Sequence, residues 1–155
     1  YRGWASVPLA YEPIGERGAA LYFIYIEIDA RKILALFDLG AGMNMINWAG
    51  ARSLGIEPRD VRPDKRVSGA LEDESKVARF VAAEVTTANI SWRNEAFSVA
   101  DLAILETLML GGSPVVILGA GLFTQRDFII DFARRRLLVN VAMNEADQAE
   151  AETGN

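Results

Sequence analysis

The fold of this chain is best approached from residues 33–42, Ile33-Leu34-Ala35-Leu36-Phe37-Asp38-Leu39-Gly40-Ala41-Gly42. Five consecutive apolar residues predict a buried strand, and Asp38 with the glycines behind it predicts a sharp turn out of a sheet. An Asp in such a turn is most often a local Asx-turn or capping residue. The other possibility is a functional carboxylate. The motif by itself leaves both interpretations open.

The residues around this stretch predict a run of short strands and turns. Residues 21–28 are rich in aromatic and β-branched side chains, so with residues 33–37 they predict a β-hairpin. Asn47 is expected to cap a short helix over residues 48–54 that ends at Gly55. Further elements are predicted as hairpins 66–71 with 76–85 and 84–92 with 95–102 (the latter turning at Arg93-Asn94), a strand at 115–118, a helix at 122–126, and a strand pair 128–132 with 136–141.

The four residues Leu39-Gly40-Ala41-Gly42 recur as Leu118-Gly119-Ala120-Gly121, each time after an apolar strand and before a short helix. This recurrence predicts an internal duplication in which only the first copy carries a carboxylate. The second copy is also similar to the start of a dinucleotide-binding fold. That interpretation is rejected, because the third glycine position is taken by Thr124 and too little chain follows for the rest of such a sheet.

Composition narrows the classes of function. The 155 residues are 51% hydrophobic and 24% charged, which predicts a single globular domain. A formal net charge of −5 without basic stretches gives no reason to expect a nucleic-acid partner. The sequence has no Cys and no His, which excludes thiol nucleophiles, Ser-His-Asp triads and nearly all zinc sites, so no metal or other cofactor is expected. No apolar run approaches the roughly 20 residues that cross a bilayer, so no membrane-spanning segment is predicted.

Three regions are predicted along the chain: an irregular N-terminal arm at residues 1–20, a folded domain at residues 21–143, and an acidic tail at residues 144–155. The chain starts at Tyr1 without a basic and apolar leader, which favours a trimmed piece of a longer precursor and leaves the compartment open. Within the folded domain, Asp131 lies between apolar residues and is expected to be an outward-facing or paired carboxylate.

Two segments together resemble the retropepsin-like aspartic peptidases. Residues 33–41, followed by Met45-Ile46 and a short helix ending at Leu54-Gly55, are similar to the active-site segment of that family: apolar strand, Asp, Thr or Ser, Gly, Ala. Residues 116–119, with the strand pair near the C-terminus, are similar to its closing motif of two apolar residues, Gly, helix and final strands. The resemblance extends over about residues 20–141.

The resemblance implies a mostly β, closed antiparallel β-barrel-like fold with short helices and an internal two-fold duplication. It also implies a homodimeric endopeptidase that hydrolyses a peptide or protein substrate with a water activated between two Asp38 carboxylates. Leu39, Gly40 and Ala41 would form the active-site loop. Ser68, Gly69 and Ala70 would belong to a flap over the substrate; the alternative is that their hairpin is simply exposed.

The residues themselves also favour a dimer. The chain contains a single Asp-x-Gly, whereas peptide hydrolysis by carboxylates needs two close carboxyl groups, one acting as base and the other as acid. One departure affects activity: Leu39 stands where the family has Thr or Ser and offers no hydroxyl across a dimer axis. Gly42 and Gly121 also replace residues that are often polar. The alternatives are therefore a peptide-binding or dimerisation module that lost catalysis at Leu39, and an unrelated antiparallel β domain with a structural Asp.

Overall fold

The computed structural model describes residues 2–14, 19–63, 77–108, 110–124 and 126–141. Strands account for most of the regular structure in these ranges, and the helices are short. The strands are β1 Trp4–Pro8, β2 Ala10–Ile14, β3 Ala19–Ile28, β4 Arg31–Phe37, β5 Asn44–Ile46, β6 Arg62–Pro63, β7 Ala78–Thr87, β8 Ile90–Val99, β9 Val115–Leu118, β10 Phe128–Asp131 and β11 Arg136–Asn140. The helices are α1 Trp48–Ser53 and α2 Ala103–Thr107, with 3-10 turns at Pro58–Asp60 and Ala120–Phe123.

Six of these strands close into a barrel. Neighbouring strands follow the order β3-β4-β9-β5-β8-β7, and β7 returns to β3 through the pairs Glu27 with Thr86 and Ile28 with Val85. Most pairs are antiparallel, whereas β4 with β9 and β5 with β8 are parallel. β2 and β6 extend the sheet beyond the barrel, and β1, β11 and β10 form a separate three-stranded sheet. The mostly β, closed barrel predicted from sequence is confirmed.

Alternation along β3 and β4 divides the core into two clusters. Ile24 and Ile26 belong to the first cluster with Ala35 and Phe37, and this cluster continues through Phe97 to Phe123 and to Leu137 of the three-stranded sheet. Phe23 and Leu36 lie on the opposite face and pack with Ile117 and with Leu105 of α2. The sheet is therefore buried on both faces where β4 and β9 end. Burial on both faces gives a rigid base to the loops that leave these strand ends.

The local signals were correct for the first hairpin and the first helix. β3 and β4 are joined by a two-residue turn in which Asp29 and Ala30 both have positive φ, as a tight hairpin with right-handed twist requires. Asn47 caps α1, its side-chain oxygen accepting from the Gly50 N–H at 2.8 Å. Gly55 has a φ of +80° just behind the helix, where only glycine is unstrained.

Two sequence interpretations were wrong in detail. The arm at residues 1–20 is not irregular throughout, because residues 4–8 and 10–14 form β1 and β2. Ala5, Val7 and Leu9 alternate towards the core, and β1 pairs with β11; glycines and prolines nearby hid this period of two.

The second hairpin also turns in another place, at Ala88-Asn89, between β7 and β8. Asn94 has a φ of +56°, in the left-handed region that Asn adopts more readily than most residues. It nevertheless lies inside β8, so this conformation is a local irregularity of the strand and not the turn of the hairpin. The predicted tail at residues 144–155 and most of the hairpin around residues 66–81 lie outside the described residues.

Candidate active site

Asp38 lies directly behind the last residue of β4, on a loop with a defined hydrogen-bond pattern. Its backbone N–H donates to the carbonyl of Leu118 at 3.0 Å, which ties the loop to the end of β9. Its carboxylate Oδ1 accepts from the Gly40 N–H at 2.9 Å, and its carbonyl accepts from the Ala41 N–H at 3.1 Å. The local Asx-type turn considered from sequence is therefore present. The carboxylate nonetheless remains exposed, with no ion pair to any described residue.

The two Leu-Gly-Ala-Gly stretches are in direct contact. They leave the sheet side by side because β4 and β9 are parallel neighbours, with Phe37 opposite Leu118. The Ala120 N–H donates to the carbonyl of Ala41 at 2.9 Å. A Cβ on Gly119 would lie 2.5 Å from the carbonyl oxygens of both Ala41 and Met43, closer than real side chains come. Position 119 therefore needs glycine so that the second stretch can support the Asp38 loop.

Asn44, which was not identified from sequence, links the two Leu-Gly-Ala-Gly stretches by a hydrogen bond that its side chain accepts. Its side chain is 5% exposed, and its Oδ1 accepts from the Gly119 N–H at 3.2 Å. A signal was present in the sequence, since Asn44 is the polar residue in the run Met43-Asn44-Met45-Ile46 close behind a glycine-rich turn. A buried amide in such a place satisfies backbone groups that a strand cannot.

Leu39 lies at the tip of the loop, next to Asp38, and is 40% exposed. Gly40 behind it is also exposed, and a Cβ there would approach Asp38 Oδ1 to 3.1 Å. Ala41 is partly buried against the second core cluster. The structure thus brings together four of the predicted site residues, Asp38 to Ala41. Ser68, Gly69 and Ala70, predicted for the flap, lie outside the described residues.

A cavity of about 290 Å³ adjoins this loop. It is lined by residues of the loop and of β5 and β8, among them Gly42, Asn44 and Glu95. Glu95 was not identified from sequence. Burial raises the pKa of its carboxyl above the ordinary value, because the charged form loses water there.

Asp131, by contrast, is a paired structural carboxylate. It accepts hydrogen bonds from the backbone N–H of Arg134 at 3.0 Å and from the side chains of Arg134 and Arg136 at 3.2 and 3.1 Å. These bonds, first of all the backbone one, lower its pKa below the ordinary value. The pairing considered from sequence is present, and it closes the turn between β10 and β11.

Within the part of the chain that the structure describes, no group of three or more acidic side chains is placed to hold a metal ion. None of the helices there is long and apolar enough to cross a bilayer.

Comparison with known proteins gives a consistent result. The family model described as aspartyl protease matches residues 24–121. Among solved structures, the chain is similar to a retropepsin-like aspartic protease from Rickettsia conorii, with 20% identity, a TM-score of 0.59 and coverage of 88% of this chain and 94% of that one. It is also similar to the retroviral protease-like domain of Ddi1 from Leishmania major, with 21% identity, a TM-score of 0.51 and coverage of 76% and 86%. No curated protein matches. At these identities the two structures establish a shared fold.

Proposed function

This chain belongs to the aspartyl protease family, and from that premise we propose that it is a homodimeric aspartic endopeptidase whose catalytic carboxylate is Asp38. The observation that carries the proposal is the setting of Asp38. Its carboxylate is exposed, yet the loop that bears it is fixed by β9 and by the second glycine stretch. Such a group is both reachable by a substrate and held in position.

The dimer follows from a chemical requirement. A single Asp-x-Gly occurs in the sequence, and hydrolysis of a peptide bond by carboxylates needs a base and an acid close together. A second copy of the chain supplies the second Asp38 if the two loops meet at a two-fold axis. Leu39 lies next to Asp38 at the exposed loop tip, which leaves the loop accessible to a second copy.

In the proposed reaction, the two Asp38 carboxylates share one proton, since like charges this close do not both ionise. The ionised carboxylate takes a proton from a water whose oxygen attacks the peptide carbonyl carbon, and the protonated one gives its proton to the carbonyl oxygen. Collapse of the tetrahedral intermediate breaks the C–N bond: the carboxyl group that took the proton from water gives it to the nitrogen of the leaving amine, and a hydroxyl of the intermediate returns a proton to the other carboxylate. The Gly40 N–H orients one carboxylate oxygen, Leu39 and Ala41 shape the loop, and Ser68, Gly69 and Ala70 are proposed to cover the substrate.

The test is Asp38→Asn, with Asp127→Asn as the matched control. Asp127 is also exposed, and it lies directly before β10, outside the stretch of residues 38–42. An asparagine at position 38 keeps an oxygen that accepts from the Gly40 N–H, so folding and dimer mass in sedimentation should not change. Metal-independent cleavage of a peptide pool, highest at acidic to mildly acidic pH, should be abolished in Asp38→Asn and retained in Asp127→Asn. Equal cleavage by parent and Asp38→Asn would refute the assignment, and an inert parent would favour the binding-module alternative.

A further inference from the structure

The cavity beside the Asp38 loop has room for a ligand because two of the residues that line it, Gly42 and Gly121, are glycines. A Cβ on Gly42 would meet no atom within 4 Å, and one on Gly121 would meet only the Gly42 carbonyl, at 3.4 Å. Both glycines are exposed, so the cavity opens to solvent between the two glycine stretches. Its volume of about 290 Å³ is at the lower limit of pockets that take whole small molecules, which suits one side chain of a longer ligand.

Glu95 determines the charge of this cavity. It lies on β8 opposite Ala82 and is the one charged residue among the described residues that line the cavity. The other polar groups there are engaged, since the Asn44 oxygen accepts from Gly119 and the Ser98 hydroxyl donates to the Met43 sulfur at 3.5 Å. Glu95 is partly buried and has no hydrogen bond or ion pair with any residue in the described ranges.

A partly buried carboxylate without a partner is costly, and its raised pKa reflects this cost. A cation that enters the cavity removes the cost and gains a charge-assisted hydrogen bond. The net charge of −5 on the chain attracts cationic peptides as well. We infer that this cavity binds a lysine or arginine side chain of the peptide substrate, with Glu95 as the specificity-determining residue. The inference rests on the proposed peptidase function.

The experiment uses the full chain and a pool of random octapeptides, with cleavage products identified by mass spectrometry. Lysine and arginine are expected to be enriched at one position relative to the cleaved bond. For two peptides that differ only in lysine or methionine at that position, Glu95→Gln should lower the ratio of their kcat/KM values about tenfold. Glu95→Lys should shift the preference towards Asp and Glu. Glu84→Gln, on the same hairpin but outside the cavity, should leave the ratio unchanged.

The outcomes separate this inference from the function on which it rests. Cleavage that depends on Asp38 but shows no basic preference, or a preference unchanged in Glu95→Gln, overturns the inference and leaves the peptidase function standing. Absence of any Asp38-dependent cleavage refutes the function instead. The same pool passed over immobilised Asp38→Asn chain then decides the inference: retained peptides rich in lysine and arginine, with the enrichment lost when Glu95→Gln is added, support it. Retention without enrichment, or no retention, overturns it.

Discussion

Gly119→Ala tests whether contact between the two glycine stretches holds the active-site loop. The added Cβ would lie 2.5 Å from the carbonyl oxygens of Ala41 and Met43, where real Cβ atoms keep at least 3.0 Å. Both obstacles are backbone atoms, so rotation of a side chain cannot relieve the clash. The two stretches must therefore separate by about 0.5 Å or more, which lengthens the bonds from Gly119 to Asn44 and from Ala120 to Ala41.

The size of the effect follows from these contacts. Overpacking of this kind costs about 1–3 kcal/mol, and each weakened hydrogen bond about 1 kcal/mol. Alanine also restricts the unfolded chain, which returns roughly 0.4–1 kcal/mol. We expect a net loss of about 2–4 kcal/mol in the free energy of unfolding. For a chain of this length this corresponds to a fall in Tm of about 5–15 °C.

The assay is thermal and urea unfolding of Gly119→Ala beside Gly42→Ala, at one protein concentration so that self-association does not confound the comparison. Gly42 belongs to the contacting stretch, but a Cβ there meets nothing within 4 Å, and its φ is not in the left-handed region. We therefore expect Gly42→Ala to unfold within a few degrees of the parent. If the two variants unfold at the same temperature, the contact does not support the loop as described.

Three further substitutions test other parts of the argument. Leu39→Thr should tighten the dimer about thirtyfold and raise cleavage, because two hydroxyls that bond across the axis gain about 1 kcal/mol each and Leu39, 40% exposed, leaves no void within one chain. A weaker dimer with no faster cleavage would contradict this. Asn47→Ala should lower the free energy of unfolding, measured in urea, by about 3 kcal/mol or more. Asn47 is 1% exposed, and its side chain accepts from Gly50 and Val115 and donates to two carbonyls of the loop before β9. Asn89→Ala, at an exposed position, is the control, and equal losses in the two variants would contradict this role of Asn47. The lowered pKa of Asp131 stabilises the fold at pH values above its ordinary pKa of about 3.8, and this stabilisation disappears as the pH falls through the lowered value. Asp131→Asn should therefore be less stable than the parent at pH 7 in urea unfolding, and the difference should disappear as the pH falls through the lowered pKa of Asp131. A difference that stays constant with pH would refute the pairing.

Features that depend only on short stretches of the chain were predictable from sequence. The apolar run before Asp38 predicted a buried strand, and Asn47 and Gly55 marked the two ends of α1, because burial pattern and capping depend on residues within one or two turns. The repeat of Leu-Gly-Ala-Gly pointed to two related loops. The glycine content even indicated that the chain must turn sharply there. The family resemblance rests on these same local features, which explains why it identified the fold correctly.

Features that depend on which segments become neighbours were decided by the tertiary structure. The sequence shows that Gly119 is glycine, but only the parallel pairing of β4 with β9 shows that the carbonyl of Ala41 lies against it. The same holds for Glu95, an ordinary polar residue by sequence, which becomes a partly buried carboxylate only because β8 pairs with β5 behind the loop. The local pattern of apolar residues indicates which face of a strand is buried. Which other strand pairs with it is decided by the packing of the whole barrel, to which residues far apart in the chain contribute.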